Sequence, residues 1–197
     1  MEQQEEISEY SSQKVGYLST FFCLYLAQAV PMSFFTTALQ VILREQAVPL
    51  SLIGLLQIVK LPWILKVFWS PAIDRHCHTV RDYKRTIIGA EIVYALLILV
   101  TSLFDLHTIL PLSFHLLIVL ILLALAASAT QDIATDALAI RTSSHNQRGL
   151  LNSMQSMGSF GGSLLGSGVL LMVLHKYGWS RVAQCLSVFV LIALIPL

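Results

Sequence analysis

Charge is what this chain has least of. Its 197 residues include twelve Lys or Arg and eleven Asp or Glu, and residues 112–128 (LSFHLLIVLILLALAAS) contain none of these. Hydrophobic residues make up 56% of the chain and the mean hydropathy is +0.75. A soluble domain of this length has too little interior to hide that much apolar side chain, so the composition points to a membrane protein. The net charge of +1 offers nucleic acid no basic surface. Cysteine is scarce as well. Cys23, Cys77 and Cys185 are too few and too scattered for a disulfide framework or a zinc spacing. His76, Cys77 and His78 are adjacent, so they cannot easily converge on one ion, and a fourth ligand is missing. No nucleophile–base constellation or phosphate-cradling glycine loop occurs. The expectation is therefore no metal, no cofactor and no enzyme.

What the chain does have is long apolar runs. A bilayer core about 30 Å thick needs roughly 20 apolar residues per helix. On that ruler six spans are predicted, near residues 16–39, 50–71, 86–104, 112–138, 150–174 and 179–197. The runs are too long for core strands, and the alternation of a membrane barrel is absent. The expected fold class is thus an all-α membrane protein with six transmembrane helices. Residues 1–15, acidic and polar, read as a short disordered cytoplasmic tail. Arg75, Arg81, Lys84 and Arg85 crowd the connection after span two, and Arg141 and Arg148 lie after span four. By the positive-inside rule, these connections and the N-terminus face the cytoplasm. The sequence stops at or just beyond the sixth span. Either six helices complete the protein, or this is the front half of a longer one.

The charges that stay inside the spans need reasons, because each costs on the order of 3 kcal/mol at the bilayer centre. Lys66 and Glu91 lie at similar depth on antiparallel spans and could pair. Lys60 has no partner at its level. It either snorkels or forms a cationic site in a water-filled cavity that meets an anionic substrate. Asp132 and Asp136 sit one turn apart near the end of span four, where they repel each other and meet the negative end of the helix. They are wet at the interface, or held by cations, or one of them carries a proton. The favoured expectation is an inner-face cluster of Asp74, Arg75, Lys84, Arg85, Asp132 and Asp136, formed in one conformation and broken in another.

Two further patterns stand out. Gly158, Gly162 and Gly166 make one smooth face on span five, suited to close helix packing, static or sliding. Tyr25 and Gln28 share a face of span one beside Pro31, and suit either a cavity wall or hydrogen bonding between helices. Pro62 interrupts span two just after Lys60.

Several stretches, taken in order, resemble one family. YLAQAVPMSFFTTALQVILREQAVPLSLIGLL, LPWILKVFWSPAIDRH and ATQDIATDALA are similar to the first, second and fourth spans of the major facilitator superfamily. The likeness is to its muropeptide permease (AmpG-like) and acetyl-coenzyme A transporter branch. This resemblance implies two six-helix bundles with substrate held between them and alternating access by rocking. The chain would supply the N-terminal bundle, and the C-terminal six-helix half would be absent from it. Asp74 and Arg75 match the start of the family's inner-gate motif and Lys84 and Arg85 its basic end, with Asp132 and Asp136 receiving those cations. Lys66 matches the branch lysine. The implied activity is proton-coupled import of a muropeptide or similar anion across the cell inner membrane. Its partners are the lipid bilayer, that small-molecule substrate and protons. Rival readings are a facilitator for another organic anion, or a six-helix membrane protein without transport activity.

Overall fold

The computed structural model describes the backbone of residues 2–45, 50–104, 111–144 and 147–197, with side chains except at 2–15, 51–52, 55–56 and 111–113. The expected breaks at 46–49, 105–110 and 145–146 lie outside the described residues. Among the described residues every regular element is helical.

Helix α1 runs Glu2–Glu45. It carries on through the segment expected to be a disordered tail, which corrects that expectation. The reason is local, since residues 2–15 are rich in Glu and Gln and contain neither glycine nor proline. The second run is broken into α2 (Leu50–Leu55), a tight 3-10 stretch (Leu56–Lys60) and α3 (Leu61–His76). Pro62 sits in the first turn of α3, where its missing N–H costs nothing and its ring bars a continuous α-helix through Lys60.

A short connection leads to α4 (Val80–Thr101), opened by a capping box in which Thr79 and Asp82 satisfy each other's backbone N–H groups. The Thr79 hydroxyl and backbone hold the Asp82 carboxyl below its usual value. Helix α5 spans Pro111–Thr142. The next rod comprises α6 (Arg148–Leu164), a π-helical stretch (Leu165–Val169) and α7 (Leu170–Tyr177). It ends at Gly178, whose φ of 79° suits glycine, and α8 (Trp179–Ile192) follows.

Three of these rods are long and apolar enough to cross a membrane: Gly16–Glu45, Phe114–Thr142 and Arg148–Tyr177. Trp179–Ile192 is a shorter apolar helix. The other two runs differ for visible reasons. One is split before Pro62, and α4 carries Arg81, Asp82, Lys84, Arg85 and Glu91. The architecture is therefore all-helical, with three rods that meet the crossing requirement by themselves.

Helix α5 packs against both α4 and α3, α4 also against α8, and α1 runs along α6. The core divides into two apolar clusters. One gathers Phe34, Phe35, Ile98, Ile121 and Trp179, with the Trp179 ring stacked on Phe34 at 5.6 Å and its Nε1 donating to the Thr101 carbonyl at 2.8 Å. The other gathers Phe21, Leu24, Tyr83, Ile87 and Leu138. Along α1, α4 and α5 a buried polar belt separates them, comprising Gln28, Glu91, Ser128, Gln131, Asp132 and Thr135. Phe68, Phe160 and Met172 are 82%, 75% and 77% exposed, so the outside of the bundle is as apolar as a lipid-facing surface requires.

Candidate substrate cavity

The polar belt opens on one side into a cavity of about 400 Å³. Helix α3 delivers Lys66 and Trp63 to it, and Lys60 enters from the end of the 3-10 stretch. Helix α5 contributes Asp132 and Asp136, α1 contributes Gln28, and α6 closes the wall with Gln155. A chain so sparing of charge thus gathers four charged side chains around one space.

Lys66 Nζ is ion-paired with Asp132 Oδ2, and the lysine also lies over the Trp63 ring, 4.9 Å from its centroid. The Asp132 side chain is 4% exposed and that of Lys66 27%, so the pair is screened little. The expected Lys66–Glu91 pair is not formed. Helix α3 packs on α5 and presents Lys66 to that helix instead, while Glu91 is fully buried with neither carboxyl oxygen hydrogen-bonded among the described residues. Depth alone suggests the wrong partner; which helices are neighbours decides it.

One turn further on, Asp136 Oδ1 accepts hydrogen bonds from Tyr25 Oη at 2.6 Å and Gln155 Nε2 at 3.4 Å. Tyr25 therefore stands behind the cavity as a support for Asp136. Gln28 lines the cavity and is 2% exposed, and its buried Oε1 has no hydrogen-bond partner among the described residues. Lys60 also lines it, exposed, and enters no ion pair among the described residues.

The inner-face cluster is not assembled as expected. Among the described residues no ion pair joins Asp132 or Asp136 to Arg75, Lys84 or Arg85, because both aspartates turn into the cavity. Asp74 instead accepts a long hydrogen bond from Tyr83 Oη at 3.4 Å, and Lys84 Nζ donates to the Leu197 carbonyl at 2.6 Å. Arg75 and Arg85 are exposed. The cation that does reach across is Arg141, which donates to the His78 carbonyl at 2.8 Å and lies 5.0 Å from the Tyr83 ring centroid.

The glycines sit where α6 and the π-helical stretch after it meet α1. A Cβ on Gly158 would lie 2.8 Å from Tyr25 Cβ, and one on Gly162 would lie 2.5 Å from Ala29 Cβ. One on Gly166 would run into the Val30 carbonyl oxygen. No alanine fits at any of the three without the helices moving apart.

A family model described as Major Facilitator Superfamily matches residues 17–197. The chain belongs to the major facilitator superfamily. A Haemophilus influenzae relative, named only as "Uncharacterized protein", is 29% identical over 155 residues, covering 78% of this chain and 35% of that protein. This superfamily member thus spans about a third of the length of that curated relative. No solved structure matches it. No cluster of His, Cys, Asp or Glu able to hold a metal occurs among the described residues of this superfamily chain.

Sequence reasoning missed Trp63, Gln155, Ser159 and Ser163 as cavity residues. The last three repeat every four residues, one position from the glycine stripe, so a second face of the same helix carried the signal. Trp63 precedes Lys66 by one helical turn. The closeness of Asp136 to Tyr25 had no sequence signal, being a contact between residues 111 positions apart.

Proposed function

We propose that this chain forms the N-terminal six-helix bundle of a permease that works by alternating access. The finer reading is proton-coupled import of a muropeptide or related anionic metabolite through the cell inner membrane. Family membership supports transport. The observation that carries the rest is the cavity itself, where Lys60, Lys66, Asp132 and Asp136 converge inside an otherwise apolar bundle. Buried charges at membrane depth are expensive and are kept where they line a path for substrate or protons. The second bundle would close the open side of this cavity, as midplane sites between repeats require.

The basic connection after α3 is read as an inner gate built from Asp74, Arg75, Lys84 and Arg85. Support comes from the Asp74–Tyr83 bond and from Arg141 clasping the same connection through His78. In another conformation the exposed Arg75 and Arg85 would engage. The three glycines let α1 and α6 stay close while they shift. The positive-inside pattern supports a cytoplasmic N-terminus.

Uptake of labelled muropeptide by vesicles holding the full-length protein tests this reading. An inward proton gradient is expected to raise uptake, and Lys66→Gln to lower it at least tenfold per molecule inserted in the membrane. Uptake indifferent to the gradient would remove proton coupling from the scheme. Absence of uptake for muropeptide and for acetyl-coenzyme A would remove the muropeptide reading and favour a permease for another organic anion or a membrane protein without transport activity.

A further inference from the structure

The buried belt holds one carboxyl that the cavity does not reach. Glu91, on α4, is fully buried and lies off the cavity wall. Among the described residues neither of its oxygens receives a hydrogen bond, and it enters no ion pair. Neither oxygen has surface that a water molecule could touch, so the packing leaves solvent no room beside them. Only a proton needs no room.

The surroundings offer no cation. Ile87 clusters with Leu138, and Ile98 with Ile121, so α4 and α5 run antiparallel. Glu91 falls between these contacts, level with the stretch of α5 that holds Ser128, Gln131 and Asp132. Asp132 is the charged group there; it is negative and already matched by Lys66. Helix α8, also packed on α4, buries Trp179, Val182, Ala183, Leu186, Ser187 and Val190, none of them titratable. From α1, Tyr25 is bonded to Asp136, while the Gln28 carbonyl accepts from Tyr94 Oη at 3.5 Å. The cations of these helices stand elsewhere. Arg44, Arg81, Arg85 and Arg181 are exposed, Lys84 is on the Leu197 carbonyl and Arg141 on that of His78.

A carboxylate taken out of water without a partner costs more than a marginally stable fold tolerates, and the group takes up a proton instead. The belt is also short of donors. Gln28 Oε1, Ser128 Oγ and Gln131 Oε1 are buried without partners among the described residues. An acid O–H is a donor that adds no bulk.

We propose that Glu91 is a proton-binding site, held as the neutral acid while α4 and α5 are packed in this way. Ionising it requires the two helices to part until water or a cation reaches the carboxylate. Gain and loss of the proton are thereby tied to helix movement, away from the charges that line the cavity. The inference rests on the proton-coupled reading for its purpose and gives that reading a carrier outside the substrate path. The packed form holds one proton more than the opened form. Above the pH at which an exposed glutamate ionises, each further unit therefore favours opening, by up to about tenfold.

Infrared spectra of purified full-length protein at neutral pH should show the carbonyl stretch of an undissociated carboxyl. Glu91→Gln should remove that band, whereas Asp132→Asn and Asp136→Asn should keep it. Hydrogen exchange in α4 and α5, corrected for the intrinsic effect of pH, should rise with pH in the wild type. It should stay level in Glu91→Gln. Should the amide variant fail to fold, Glu91→Met, apolar and of similar length, gives the same two readings. No such band in the wild type, a band indifferent to residue 91, or exchange that follows pH alike in wild type and variant overturns the inference. Vesicle uptake of labelled muropeptide tests the transport reading separately. A band that answers to residue 91, with uptake indifferent to a proton gradient, removes the proton-coupled reading and leaves the site standing. Gradient-driven uptake without the band does the reverse.

Discussion

At the scale of single residues, the Lys66–Asp132 pair sets the properties of the cavity. Removing one partner of a buried pair strands the other charge, at a cost of about 3 kcal/mol, whereas replacing both by apolar groups is often neutral. Lys66→Met should therefore lower stability by about 3 kcal/mol, and the double variant Lys66→Met/Asp132→Leu should regain most of it. Denaturation of detergent-solubilised protein measures both. The double variant should nevertheless fail in uptake, since it folds without the central charges. Equal instability of the single and double variants would show that the pair is not what holds α3 on α5. Glu91 makes the complementary point. Its carboxyl is buried without a donor among the described residues, a position that only tertiary packing could create.

At the scale of elements, α1 and α6 are joined by backbone proximity. Gly162 faces Ala29 and the Val30 N–H, and an added Cβ has nowhere to go. Gly161, its neighbour, would place a Cβ at an ordinary 3.8 Å from Leu26 Cδ1. Gly162→Ala is expected to cost about 1–3 kcal/mol by overpacking, and Gly161→Ala to leave stability unchanged or slightly raised. Thermal unfolding of the two variants side by side checks this. Similar behaviour would mean the stripe is not a contact surface. The repeat of glycines was readable from the sequence because a four-residue spacing marks one face of a helix. The partner helix was not readable, because a smooth face accepts any close neighbour.

At the scale of the whole molecule, the distribution of basic residues argues for one orientation in the bilayer. With Cys23, Cys77 and Cys185 replaced, Arg75→Cys and Arg181→Cys should react with an impermeant thiol reagent from opposite faces of sealed vesicles, Arg75→Cys from the cytoplasmic side. Labelling of both from one face would refute the proposed topology. The exterior is consistent with a lipid environment at Phe68, Phe160 and Met172.

Composition and periodicity by themselves determined that this is an all-helical membrane chain, because apolar runs of such length have no other stable home. Spacing on single helices likewise determined that Tyr25 and Gln28, Asp132 and Asp136, and the three glycines act as faces. Only the tertiary structure decided how the charges are matched: Lys66 with Asp132, Tyr25 behind Asp136, and Lys60 left over. The physical reason is range. A helix fixes neighbours within a turn, while the choice of partner across a bundle depends on which helices pack together, and charge of either sign can be satisfied in several places until they do.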